Sequence, residues 1–251
     1  MRQLNNSGLF AARTRYYPLI AGVSMAIKGN RLKRDDLLFF HRELSGFPFD
    51  KLVEGSYAEE IVFTTKTYGS FKRHRLRTRE TFKKMYEPGL IPYFVQFAPD
   101  GWIDLNAAAS IRWTFEEGVL PWRNLDFRSL NGFDARRLKV EPLENVLAGY
   151  LVTPYQPSAV GLAEVHVKKE LTQLACLLEA FAMDRGGYPE ELGELIPEYL
   201  DKLPMDPFAG EVMKYFPDDD RYRLYSVGMN LSDDFANVVR NERGRVQPEN
   251  G

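Results

Sequence analysis

Cysteine is nearly missing from this chain. Cys176 is the only one, so no internal disulfide can form, and its neighbours Leu174, Ala175, Leu177 and Leu178 mark it as a small buried hydrophobe. Histidine is also scarce. His41, His74 and His166 fall in no metal-ligand spacing such as His-x-x-x-His. There is no Gly-x-Ser-x-Gly elbow and no phosphate loop, so no residue receives a catalytic assignment. Long apolar runs are lacking too. The polar opening "MRQLNNSGLFAARTRYY" is unlike a signal peptide, and the run from Leu19 to Ile27 is about half of what a membrane span needs, so a soluble chain is expected. Charge of one sign is absent overall. With 33 basic and 35 acidic residues the net charge is −2, which gives no general reason for a polyanion partner.

What is present is material for a core: 44% hydrophobic and 13% aromatic residues. "RLKRDDLLFFHREL" (31–44) has apolar residues near helical spacing. A second helix is expected from Phe49 to about Thr67, although "IVFTTKTY" is rich in β-branched and aromatic residues and suits a strand as well. In 101–117 Trp102, Leu105, Ala108, Ile111 and Phe115 predict one apolar helix face, and 120–157 reads as irregular with a short helix near 143–149. After "TPYQPSA" a long helix is predicted over 159–184. Its stripe is Val160, Ala163, Val167, Leu171, Leu174, Leu178 and Phe181, with Glu164, Lys168, Lys169 and Gln173 opposite. His166, beside Lys168, is expected at its surface or at an interface. Gly186 and Gly187 end it, Pro189 is placed to open a short helix, and "VMKYF" and "RYRLYSV" alternate as a hairpin within 212–227. The expected fold class is α+β. A mainly helical region of unknown role (1–158) precedes a module (159–251) in which the long helix packs on a small antiparallel sheet, with a Pro/Gly-rich connection at 185–210.

The order of motifs in that module resembles the C-terminal part of the major pseudopilin of type II secretion. The matching residues are Gly186, Tyr188 and Pro189, then Leu203, Pro204, Asp206, Pro207 and Phe208, and finally Tyr215, Ser226 and Gly228. "DPFAGEVMKY" spaces its glycine differently from that family. The longer chain is similar to large envelope proteins of planctomycetes and verrucomicrobia that join such a tail to a helical region with a Gly-Trp-x-x-x-Asn element, here Gly101, Trp102 and Asn106. The resemblance implies a structural or interaction protein of the cell envelope on the periplasmic side. Its partner would be another protein or its own copies, and its membrane anchor would lie outside this sequence.

The resemblance also implies calcium in the loop after Gly228. Asn230, Ser232, Asp233 and Asp234 would supply the hard oxygens that this ion takes. The same residues suit a solvated turn with a helix N-cap. Asp218, Asp219 and Asp220 read as a solvated hairpin tip. Lys72, Arg73, His74, Arg75, Arg77 and Arg79 form a local basic run. Its plain reading is a solvated helix face, and its functional reading is an anionic membrane surface; nucleic acid is disfavoured because no recognition motif accompanies it. An enzyme site within the helical region is the remaining alternative, and it requires distant acids and histidines to converge.

Overall fold

The computed structural model describes residues 7–85, 91–128, 146–151, 156–218, 220–233 and 235. The α+β class holds, with helices dominant. In chain order the helices are α1 (Ser7–Lys28), α2 (Arg34–Ser45), α3 (Phe49–Arg73), α4 (Arg75–Met85), α5 (Ile91–Phe97) and α6 (Asp100–Thr114). A π-helical turn (Phe115–Val119) then runs into α7 (Leu120–Asn124), followed by α8 (Val146–Leu151) and α9 (Gln156–Arg185). A 3-10 turn (Leu192–Leu195) leads to β1 (Met205–Asp206), β2 (Glu211–Val212), β3 (Lys214–Asp218) and β4 (Arg221–Tyr225). The strands form two antiparallel ladders, β1 with β2 and β3 with β4. In the second, Tyr215 faces Leu224 and Phe216 faces Arg223.

The chain divides into two compact units. One unit contains residues 1–53, 122–132 and 156–251; the other contains 54–121 and 133–155. In the first, α9 is the central rod, about 45 Å long at 1.5 Å per residue. It begins at Gln156, three residues earlier than expected, because Pro157 falls in the first turn, where no helical N–H is needed. Its principal neighbours are α1 and α2 rather than the hairpin. Val23 and Leu37 meet Cys176 and Ala180 in one buried cluster. Ser24 and Thr172 join α1 to α9 through their hydroxyls at 3.0 Å, and Nε of Arg34 on α2 donates to Asp184 at 2.6 Å.

Helices therefore cover α9 on more sides than one stripe suggests. Lys169 and Gln173, expected on the exposed face, are buried, while Glu164 and Lys168 do face solvent. The α1 helix itself was not expected. Its N-terminal half is polar, and only the Leu19–Ile27 run carries a signal.

The second unit has its own core of Tyr68, Phe71, Phe82, Val95, Ala98, Ile103 and Leu147. Three of its aromatics chain edge-to-face, Tyr68 on Phe71 and Phe71 on Phe82, with centroids 5.7 and 5.5 Å apart. The "IVFTTKTY" stretch is helical. Its Thr65 satisfies its hydroxyl on the Ile61 carbonyl, as a threonine inside a helix can. On α6 the expected apolar face is overturned. Leu105 is half exposed, and the buried positions are Ile103, Asn106, Ser110 and Thr114. Polar side chains reach the core there because each is hydrogen-bonded. Ser110 meets the Tyr68 hydroxyl at 2.7 Å, and Thr114 donates to the Ser110 carbonyl at 3.0 Å.

Candidate functional site

The first unit holds a cleft of about 900 Å³ between α1, α9 and the β3–β4 hairpin. Ile20, Leu171 and Leu224 supply apolar wall, and Lys28 and Lys168 stand among the polar residues lining it, Lys168 with its ammonium 5.0 Å from the Tyr17 ring. Also in the lining is Glu179, one turn beyond Ala175 on α9. The Tyr188 hydroxyl donates to both its carboxylate oxygens at 3.2 and 3.1 Å, and the Tyr222 hydroxyl is a further donor. Burial raises the Glu179 carboxyl above its ordinary range, and the two tyrosine bonds offset part of that rise. Burial together with the Glu179 charge pushes the Tyr188 phenol up to about 12 and raises Tyr222 further. The two tyrosine rings pack edge-to-face with centroids 4.9 Å apart. At neutral pH both phenols keep their protons and serve as donors to the carboxylate. The cluster ties the Gly-Gly-Tyr-Pro turn and the hairpin to the central helix.

The other motif residues also make ties. Gly186 ends α9 with φ +82°, a left-handed conformation that a side chain would strain, and its N–H reaches the Ala182 carbonyl at 2.9 Å. Pro189 is buried and does not open a helix; the helical turn starts only at Leu192. The Pro189 carbonyl instead accepts from the Tyr215 hydroxyl at 2.8 Å. Asp206 is 1% exposed, and its two oxygens divide between Phe208 N–H at 2.9 Å and Val227 N–H at 2.9 Å. One carboxylate thus holds the Asp-Pro-Phe turn against the end of β4. Phe208 is buried against Phe127, with ring centroids 5.7 Å apart.

His166, expected at a surface or an interface, is only 4% exposed. It lies in a nest of Phe49, Trp122 and Phe127. Its Nδ1 is 3.3 Å from Oδ1 of Asp50 but is not aligned for a hydrogen bond. Proximity to the ring nitrogen still holds the Asp50 carboxyl below its usual range. No spacing rule could reveal this nest, because its members come from three separate stretches of the chain, at 49, 122–127 and 166. Cys176 is fully buried as expected, and burial pushes its thiol up to about 12, away from a reactive thiolate.

The loop after Gly228 uses its oxygens internally. Asn230 Oδ1 accepts from Ser232 N–H at 3.2 Å, and Asp233 Oδ1 accepts from the Tyr225 hydroxyl at 2.8 Å and Phe235 N–H at 3.0 Å. Asp234 lies outside the described residues. Asp218 and Asp220 approach Arg221 at 3.3 and 3.9 Å at the hairpin turn, while Asp219 is also outside the described set. Among the described residues no group of three or more His, Cys, Asp or Glu side chains is placed to hold a metal ion.

The basic run spans the end of α3 and most of α4, where much of its charge is matched. Lys72 bonds Asp104 at 2.6 Å, Arg75 pairs with Asp100 and the Val95 carbonyl, and Arg79 pairs with Glu80 and Gln96. Asn106, from the Gly-Trp-x-x-x-Asn element, is wholly buried. Its Nδ2 donates to the Trp102 carbonyl at 2.9 Å, and its Oδ1 accepts from Leu147 N–H at 2.8 Å and Ala148 N–H at 3.4 Å. It caps α8 from another helix.

No protein-family model, curated protein or solved structure matches this chain. No helix among the described residues is long and apolar enough to cross a membrane.

Proposed function

We propose that this chain is a non-catalytic structural or interaction protein of the bacterial cell envelope, built around a pseudopilin-like module. The observation that carries the reading is the bonding of Asp206. The most characteristic polar residue of the motif is buried and joins two backbone turns, which is the work of a scaffold. Tyr188, Tyr215 and Gly186 also serve the fold, through the Glu179 carboxylate, the Pro189 carbonyl and the end of α9. Fold-level likeness alone does not transfer a role, so the partner surface has to come from this chain.

The sheet side supplies one. Among the described residues each strand is paired on one side only. Met205 and Val212 face each other across the β1–β2 ladder and are 54% and 36% exposed. An open strand edge beside an exposed apolar pair accepts an added strand from a partner or a second copy. The test places a photo-crosslinking residue at Met205 or Val212 in cells, with exposed Glu164 as the control position, followed by fractionation. The reading expects discrete adducts at the sheet positions in the envelope fraction. A purely cytosolic chain with no adducts, or with equal labelling at all three positions, would refute it.

A further inference from the structure

The second unit carries a surface that the module does not explain. The α5 segment "IPYFVQF" has no charged residue, and it buries Val95 while leaving Tyr93, Phe94 and Phe97 at 49%, 50% and 78% exposure. Phe94 is braced edge-to-face on Trp102, with centroids 5.0 Å apart. Alongside it packs α4, "RLRTRETFKKM", with five basic residues against one acid. The acids nearby are already matched, Asp100 by Arg75, Asp104 by Lys72 and Glu80 by Arg79. Arg77, Lys83 and Lys84 are exposed and take part in no salt bridge among the described residues. Leu76, on the same helix, is 62% exposed.

Aromatic rings in the open are costly in water and well placed at a bilayer interface, where tyrosine can keep its hydroxyl among the headgroups and phenylalanine can bury its apolar ring. Exposed cations on the adjoining helix add attraction to anionic lipid headgroups. We propose that the α4–α5 pair is a peripheral docking surface for an anionic lipid bilayer, with the aromatics of α5 entering the interface and the cations of α4 contacting headgroups. A nucleic acid satisfies the cations but gives Phe97 and Leu76 no apolar medium. The inference rests on the second unit alone, so its failure leaves the reading of the module untouched.

The test is co-sedimentation of the full chain with phosphatidylglycerol-containing vesicles and with pure phosphatidylcholine vesicles. Two double variants accompany it, Tyr93→Ser with Phe97→Ser, and Lys83→Glu with Lys84→Glu, each checked for an unchanged far-ultraviolet melting curve. The expected result is binding to anionic vesicles that weakens with salt and falls at least about tenfold in either variant. Equal binding to both vesicle types, no binding to either, or binding that survives the aromatic variant would overturn the proposal.

Discussion

Replacing Asn106 by alanine tests the claim that this buried amide caps α8 from a distance. The first N–H groups of any helix lack partners within it, and those of Leu147 and Ala148 are buried here on a single side-chain oxygen. Alanine leaves both donors unsatisfied. At roughly 1–3 kcal/mol for each buried orphan, and less for the bond at 3.4 Å, the loss is about 2–4 kcal/mol. Asn106→Asp sharpens the test. It keeps the acceptor for the two amides but turns the second oxygen toward the Trp102 carbonyl, where the amide now donates. A buried carboxylate there must repel that carbonyl or take up a proton, so its folded-state pKa rises. The penalty is then full above that raised value and fades as pH falls toward the unfolded-state pKa of about 3.9. The assays are urea denaturation at neutral and mildly acidic pH, and hydrogen exchange of the Leu147 and Ala148 amides. Exchange there is expected to quicken roughly 30- to 900-fold in the alanine variant if local opening carries the whole loss. A loss below about 0.5 kcal/mol, or an aspartate variant that worsens toward acid, would refute the capping argument.

Gly118→Ala is expected to destabilise by about 1–3 kcal/mol, because a Cβ there comes within 2.6 Å of the buried Tyr57 ring and a ring cannot swing aside; urea denaturation reads it. Asp206→Ala leaves the Phe208 and Val227 amides without their acceptor and should cost about 2–4 kcal/mol, with Asp206→Asn losing less because one acceptor oxygen remains; the same measurement separates them. Arg34 foremost, then Tyr199, hold the Asp184 carboxyl below its ordinary range, so this link contributes above the unfolded-state pKa and is lost as pH falls through the folded one. Asp184→Asn should flatten the acid limb of a plot of Tm against pH. Glu179 runs the other way, since burial raises its carboxyl and ionisation opposes folding as pH climbs from the unfolded value to the folded one. Glu179→Gln should remove that fall while changing stability little at acid pH, and calorimetry across the range checks it.

The sequence showed the path of the module more clearly than its surroundings. Gly186, Asp206 and Gly228 are local signals, because a left-handed φ or a carboxylate beside a proline turn acts on neighbouring residues. The α6 face was misread for the opposite reason. Apolar periodicity ranks Leu105 above Asn106, Ser110 and Thr114, yet those three are buried because α3 and α8 bring them partners some forty residues away or they bond within their own helix. The His166 nest fails the same test, with members as far apart as Phe49 and His166. The Glu179 cluster was within reach, since Tyr188 follows Glu179 by nine residues across a glycine turn, but its third member on β4 needed the hairpin's fold.

Packing around α9 bears on how the proposed module would act. The resemblance places a long helix against a small sheet. Here α1 and α2 already occupy its flanks through Ser24–Thr172, Arg34–Asp184 and the Val23–Leu37–Cys176–Ala180 cluster. Buried Lys169 and Gln173 show how completely that face is closed. Assembly through the face of α9 that these helices cover would require stripping off both and exposing that cluster to water, at a cost of the order of 1.5–3 kcal/mol for each large aliphatic side chain. An added strand on the hairpin side disturbs none of these contacts. The partner surface of the proposed scaffold therefore belongs on the β1–β4 side, with the long helix as an internal strut.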